Sequence, residues 1–427
     1  MQVVEQIQFR PNTNFSHLCH LAKNLYNEAN FQFRQFFFCV EELLSYYDLD
    51  KILKSYECYR QLPAQTSQQI LKLVKRNWMA YFAALRSFRL DPSKFLGHPR
   101  PPRFKPKDAE MVCIFTNQNT RIKNGKLHFP ASCQISPITT RVRKYQEVRI
   151  VPKEYGYCCE IVYLRTEMDL HLNQTRKLGI DLGVNNIVAA VNNIGLQPLV
   201  IKGGVIKACT QFYNKINARL QSQKDRQGYT FQTKAQKKLL HHRNNVLRDI
   251  FHRISQFIIN YCIQHDIGAI IIGYNPLWKQ QVNLSSRNNQ TFVQIPFAKL
   301  IAMLTYKAKL SGITVEEIDE AYTSKCSFMD QEPVEFHDIY LGKRISRGLF
   351  RSNRGTVLNA DINGAFNILK KASPMAFDNL DLQAIPLYPE SYRRLADLHQ
   401  RDPSMSEVYG GGNVELHSKP LGTWQEA

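Results

Sequence analysis

At the N-terminus, VVEQIQFRPN alternates apolar and polar residues and stops at Pro11, the pattern of a strand. From about Ser16 the period changes to that of a helix, with Leu18, Leu21, Leu25 and Ala29 on one face. A second helix is predicted from Thr66, as its N-cap, to Phe88, carrying Ile70, Val74, Trp78, Tyr81 and Leu85 inward. Between 97 and 107 the basic, proline-rich GHPRPPRFKPK breaks regular structure and reads as a linker or loop. Residues 112–165 hold the short β-type runs CIFT, KLHF, EVRIV and CEIVYL, which predict a small β-domain that takes in the N-terminal strand.

The pattern changes at 177. KLGIDLG reads as a buried strand ending in a tight turn, and strand-like NIVAAVN and PLVIKGG follow. A long basic amphipathic segment runs over 205–265, and IGAIIIGY is then a fully apolar strand. IPFAKLIAMLTYKAKL predicts a helix with Pro296 near its first turn and Phe297, Leu300, Ile301 and Leu304 inward. The strand ITVEEIDE, a loop-rich basic insertion at 322–355 and a last helix, ADINGAFNILKKA, complete the series. Three strands, helix, strand, helix, strand and final helix is the order of an α/β RNase H-like domain. The remaining residues are polar and rich in Gly and Pro, and read as an extended tail.

Charge narrows the choice of partner. The chain carries 56 Lys and Arg against 36 Asp and Glu, a net +20 over 427 residues. From Lys371 onward five basic residues face eight acidic ones, so the excess sits in the body of the chain. A body that basic suits a polyanion, because each phosphate neutralised releases counterions. A merely soluble basic protein is the plainer reading. None of the ten cysteines forms a C-x-x-C pair, which excludes a zinc ribbon of the usual spacing. With no signal peptide and no long apolar run, reduced thiols in a prokaryotic cytoplasm are expected, and no membrane partner.

Two aspartates occupy chemically expressive positions. Asp181 ends the first strand of the 177-onward region, between Gly179 and Gly183, and Asp361 opens the final helix. Carboxylates converging from separate elements can hold two Mg²⁺ ions roughly 3.5–4 Å apart, which clamp the attacking and leaving oxygens of a phosphodiester. Singly, an Asp–x–Gly after a strand is more often a turn, and an Asp near a helix start is usually a cap. The pair in this order, 180 residues apart with the expected elements between, is the stronger signal.

GIDLGVNNIVAAV, the TSK after the fifth strand and NADINGAFNILKK resemble the transposon-encoded TnpB family, relatives of the type V CRISPR effectors. AKNLYNEANFQFRQF, GHPRPPRFK and a later TNQ agree, so the resemblance spans about residues 5–372. It implies a wedge-type β-barrel from 1–14 and 105–172, with a helical recognition lobe, 15–104, inserted in it. A RuvC nuclease domain over 173–371 and a tail from 372 to 427 follow. It also implies a guide RNA cut from the transposon end, Mg²⁺ (or Mn²⁺) as cofactor, and cleavage of double-stranded DNA beside a short adjacent motif, with no protein partner required.

Two departures matter. The family places a catalytic Glu at the end of the fourth strand, where AIIIGYNPLWKQ has Gly273. In the RNase H topology the next strand pairs beside it at about 5 Å, and Glu320 follows that strand in EEIDEAYTSK. The catalytic and metal-binding set is therefore expected to be Asp181, Glu320 and Asp361. A solvated acidic strand end, shared with Glu316, Glu317 and Asp319, is the other reading of that run. The second departure is the family's zinc finger, of which Cys326 alone survives; with His337 it cannot make a tetrahedral site, so no zinc is expected.

The insertion is instead expected to form a basic hairpin presenting Lys343, Arg344, Arg347, Arg351 and Arg354 to nucleic acid, against the alternative of a solvated loop. Arg100, Arg103, Lys105 and Lys107 suit a loop gripping a phosphate backbone. The face of Lys234–Arg253 suits a guide–target heteroduplex read by shape. Trp278 and Lys279 are candidates for stacking on and pairing with a nucleotide, though a core Trp is equally ordinary. Asp249 and His252 read as a local surface pair. Two further functions stay open: a nuclease-inactive RNA-guided DNA-binding repressor, motivated by Gly273, and a junction resolvase, which leaves the N-terminal 170 or so residues unexplained.

Overall fold

The computed structural model describes residues 1–40, 42–275 and 293–398. Trp278 and Lys279 lie outside the described residues. The chain divides into two compact units, Met1–Glu167 with Lys215–Asn244, and Met168–Asn214 with Asn245–Ala427.

In the first unit, β1 (Gln2–Phe9) enters a four-stranded sheet. The helices α1 (Thr13–Val40), α2 (Tyr46–Leu53), α3 (Glu57–Arg60) and α4 (Ala64–Leu90) follow it. The strands β2 (Cys113–Thr116), β3 (Arg121–Lys123), β4 (Lys126–His128), β5 (Ile138–Thr139), β6 (Glu147–Pro152) and β7 (Tyr157–Leu164) complete it. The sheet runs β1-β7-β6-β2 and is antiparallel throughout, so the N-terminal strand does join the 112–165 region. A separate small sheet holds β3-β4-β5.

Trp78 anchors the helices. Its ring stacks on Phe33 at 4.8 Å, and its indole N–H donates to Asn30 Oδ1 at 2.9 Å. The α4 helix starts at Ala64 on Pro63, not at Thr66, which is buried in the first turn; a proline cap lacks the side-chain oxygen that marks a helix start in a sequence. The 97–107 stretch has no regular structure, but it is tied along α1: Asn30 and Arg34 donate to Pro102 O, Asn27 to Lys105 O and Lys23 to Lys107 O. With its carbonyls held, Arg100, Arg103 and Lys105 stand exposed.

The second unit is built on a six-stranded sheet. Its early strands are β8 (Lys177–Asp181), β9 (Asn186–Asn192) and β10 (Leu199–Lys202). Two helices come next, α5 (Gly204–Arg226) and α6 (Lys234–Gln264), where the sequence reads as one basic segment; their residues 215–244 group with the first unit. Next are β11 (Ala269–Gly273), α7 (Phe297–Leu310) and β12 (Thr314–Ile318). A three-stranded antiparallel sheet follows, β13 (Lys343–Ser346), β14 (Leu349–Arg351) and β15 (Val357–Asn359), leading straight into α8 (Ala360–Ala372).

The main sheet has the order β12-β11-β8-β9-β10-β16, where β16 is Glu390–Tyr392. Strands β8 and β10 each pair antiparallel with β9, and β11 and β12 lie parallel to β8. Alternate residues serve the two faces. Leu178, Ile180, Ile270 and Ile272 pack with Phe251, Ile254 and Leu300 of α6 and α7. Ala189, Val191 and Ile271 pack with Phe366, Ile368 and Leu369 of α8. The expected tail is thus not featureless as far as residue 398. Residues 390–392 pair in parallel with β10, and Tyr392 is buried against Phe257 at 4.7 Å. That pairing covers an otherwise open sheet edge, and a three-residue strand leaves no periodic trace in sequence.

Candidate active site

The end of β8, the residues following β12 and the start of α8 converge. Asp181 closes β8, and α8 comes unusually near it because two glycines lie at the contact. A Cβ on Gly179 would stand 2.8 Å from Leu369 Cβ and 2.9 Å from Ala365 O, and one on Gly364 would stand 2.8 Å from Asp181 Oδ2. Both are shorter than side chains tolerate. Glycine at 179 lets the helix lie on the strand, and glycine at 364 leaves space for the Asp181 carboxylate.

Asp361 sits in the first turn of α8. The N-cap Asn359 accepts hydrogen bonds from the backbone N–H of Asp361 (2.9 Å) and Ile362 (3.2 Å), which frees the Asp361 side chain from capping. Its Oδ2 accepts from Asn186 Nδ2 at 2.6 Å, and its Oδ1 lies 3.5 Å from Arg344 Nη2. Asn186 is itself oriented by Lys202, whose Nζ donates to its Oδ1 at 2.9 Å. Arg347 donates to Asn185 Oδ1 at 3.3 Å. The basic hairpin therefore places one arginine on Asp361 and another on the neighbouring asparagine.

Glu320 differs from the rest of its acidic run. Glu316, Glu317 and Asp319 are exposed, whereas Glu320 is half-buried. A Cβ built on Gly273 would stand 3.5 Å from Glu320 Cβ, so a side chain starting at either position would emerge at nearly the same point. The space above Gly273 is filled chiefly by Ile368, whose Cδ1 would meet that Cβ at 2.4 Å.

Asparagines of α8 hold the segment beyond Glu320. Asn363 Nδ2 donates to Cys326 O (2.8 Å), and Asn367 Nδ2 donates to Thr323 O (2.9 Å) and Cys326 O (2.7 Å). Thr323 Oγ1 in turn donates to Glu320 O at 2.8 Å. Both asparagines are buried. Sequence reasoning passed over Asn186, Asn363 and Asn367. The signal was present: in NADINGAFN, asparagines recur at spacing four, which stacks them on one helix face.

Electrostatics links the three carboxylates. Asp181 is pushed well above the ordinary carboxylate range, first by burial and then by the negative charges of Asp361 and Glu320; Arg344 and the backbone N–H of Leu182 oppose this. Such a cluster fits a divalent cation in charge and in the hardness of its oxygens. As the side chains stand, no three His, Cys, Asp or Glu among the described residues are drawn around a single point. Asp361 has Asn186 on one oxygen and Arg344 beside the other.

The insertion folds around carboxylates. Glu332, 2% exposed, accepts from the N–H of Ser327 (2.6 Å) and of Leu341 (2.9 Å). Asp330 accepts from Ser327 Oγ and Asn353 N, both at 2.6 Å. Phe328 stacks on Phe366 of α8 at 4.4 Å. Cys326 is buried with its thiol toward Glu335 O, while His337 contacts Pro333 O at the surface. The expected basic hairpin is β13–β14, with Lys343, Arg344, Arg347, Arg351 and Arg354 exposed. On α6, Asp249 pairs with Arg253 at 3.0 Å, and burial together with nearby cations pushes His252 down to about 4.

The OrfB_IS605 family model, described as a probable transposase, covers residues 160–278. The model of the Cas12f1-like TNB domain covers residues 297–368. A TnpB-like protein of Acidianus two-tailed virus is 24% identical over 396 residues, 83% of this chain and 82% of the viral protein. A TnpB-like protein of Methanocaldococcus jannaschii is 27% identical over 128 residues, 30% of this chain and 43% of its own. Among solved structures, a Cas12f1–sgRNA–target DNA complex aligns with a TM-score of 0.50 at 15% identity, over 83% of this chain and 81% of the Cas12f1 chain. At that identity the likeness shows a common fold. Among the described residues no helix is long and apolar enough to cross a membrane.

Proposed function

This chain belongs to the TnpB family, and on that premise we propose that it is a cytoplasmic, RNA-guided DNA endonuclease with an RNase H-like (RuvC) site made of Asp181, Glu320 and Asp361. The observation that carries the reading is the half-buried Asp181, its ionisation opposed by two further carboxylates, with Gly364 leaving space at its oxygen. A like-charge cluster of that kind raises the free energy of the fold, and a bound cation relieves it. The β8-β9-β10 antiparallel order with β11 and β12 parallel alongside supports the RNase H-like assignment.

The three carboxylates would hold Mg²⁺ or Mn²⁺, two ions in the usual form of this chemistry, supplying positive charge to the attacking water and the leaving oxygen. The chain's own residues prepare the site. Asn359 fixes the helix start so that Asp361 points outward, and Asn186, braced by Lys202, holds one of its oxygens. Thr323, Asn363 and Asn367 fix the backbone that carries Glu320. Arg344, drawn to Asp361 by charge, is placed to turn to a phosphate once cations satisfy the carboxylate. Lys343, Arg347 and Arg351 on the same hairpin, with Arg100, Arg103 and Lys105 on the α1 strap, are assigned to backbone phosphates of target DNA and guide RNA.

The alternative, an RNA-guided DNA-binding protein without cleavage, rests on Gly273. The test is incubation of the purified protein, with the RNA that accompanies it, and Mg²⁺ with a plasmid matching that RNA. The reading expects cut plasmid from the wild type and none from Asp361→Ala. Tight binding of the matched plasmid with no cutting by the wild type would establish the alternative.

A further inference from the structure

The turn joining α5 to α6, residues 227–233, is closed at both ends by hydrogen bonds. Gly228 adopts φ +70°, with its N–H donating to Asp225 O at 3.1 Å and the Tyr229 N–H donating to Lys224 O at 3.2 Å, a glycine-terminated helix end. On the other side Thr233 Oγ1 accepts from Gln236 N at 3.2 Å, while Gln236 Oε1 accepts from Thr233 N at 3.0 Å, a reciprocal cap on α6. Gln236 is buried, and its Nε2 reaches Gln221 Oε1 of α5 at 3.1 Å, locking the two helices together behind the turn.

A turn fixed in this way carries Tyr229 64% exposed and Phe231 86% exposed. Every side chain from Asp225 to Gln232 is exposed, so neither ring contributes to a core. Scattered exposed aromatics are ordinary. Two on one capped tip, in a stretch (215–244) with eight Lys or Arg against the single acid Asp225, are not. Flat rings flanked by cations match the chemistry of single-stranded nucleic acid, in which bases stack on aromatics and phosphates meet lysines. A protein partner for that tip would need a matching acidic rim. RNA is favoured over DNA because unpaired RNA loops present splayed bases to aromatic side chains permanently.

We propose that Tyr229 and Phe231 form a stacking site for unpaired bases of the RNA this chain carries, with the adjacent lysines of α6 neutralising the phosphates. The assignment rests on the reading of the chain as RNA-guided. It is tested with the full chain purified together with its RNA, by ultraviolet crosslinking and mass spectrometry of peptide–nucleotide adducts, and by measuring the affinity for that RNA re-synthesised and labelled. The expected result is a ribonucleotide adduct on the peptide holding Tyr229 and Phe231. Tyr229→Ala with Phe231→Ala should weaken affinity at least about fivefold, while the ring-preserving Tyr229→Phe with Phe231→Tyr leaves it unchanged. Adducts confined to other peptides, or equal affinity of the alanine variant, overturn the stacking site and leave the guided-nuclease reading standing. An adduct that forms only with added single-stranded DNA overturns the assignment to RNA. Purification without any RNA overturns both.

Discussion

At Asp181, burial and two neighbouring carboxylates all oppose ionisation. Its pKa in the folded, cation-free protein lies above its unfolded value, so the linked stability is present in acid and is lost as pH rises through the folded value. Asp181→Asn removes that loss. Without divalent cations, the variant should melt at a higher temperature than the wild type at neutral pH, and the difference should vanish as pH falls into the ordinary carboxylate range. Adding Mg²⁺ should raise the melting temperature of the wild type more than that of the variant. Thermal melts with and without chelator, across pH, check both. Asp181 and Asp361 were legible in the sequence because each sits at an element end with a defined neighbour. The Arg344–Asp361 contact was not, because the β13–β14 pairing shifts register between Arg344 and Ser346, and such irregularities leave no periodic mark.

The elements make the site through close approach, and two glycines separate stability from chemistry. Gly179→Ala would drive a methyl into Leu369 and the Ala365 carbonyl, so it should lower stability by about 1–3 kcal/mol, measured by denaturant unfolding. Gly364→Ala meets the Asp181 carboxylate instead, and gains about 1 kcal/mol of helix propensity. It should leave stability near the wild-type value and still depress cleavage strongly. In the insertion, Glu332→Ala would strand the buried Ser327 N–H and leave the Leu341 N–H without its carboxylate, and should cost on the order of 2 kcal/mol.

The strand and helix order of the 177-onward region was readable because AIIIG and NIVAAVN are continuous apolar runs, and α8 has a marked apolar face. The break of the basic segment into α5 and α6 was missed, since the charged pattern continues across it and Gly228 is its main punctuation. Asn185 and Asn186, at the start of the strand-like run NIVAAVN, contact Arg347 and Asp361, a tertiary relation that local pattern does not encode.

On the scale of the whole molecule, the net charge of +20 gives a measurable signature. Affinity for nucleic acid should fall steeply with salt, and replacing Arg100, Arg103 and Lys105 together by Gln should reduce the slope of log K against log salt by about 0.9 for each duplex phosphate that is no longer neutralised. An unchanged slope would remove the α1 strap from the interface. Charge and element order alone indicated a polyanion partner and one α/β domain; the family resemblance supplied the guide RNA. The division into units, with 215–244 grouped with the N-terminal residues, was beyond either, because it depends on which surfaces the helices bury.

If a carboxylate displaced from position 273 completes a working site, it shows in Mg²⁺-dependent cleavage of a guide-matched plasmid by wild type, Glu320→Gln and Glu317→Gln. Wild type and Glu317→Gln should cut at similar rates, while Glu320→Gln binds the plasmid as tightly and leaves it intact. Cleavage by Glu320→Gln at the wild-type rate would contradict the displaced-carboxylate site.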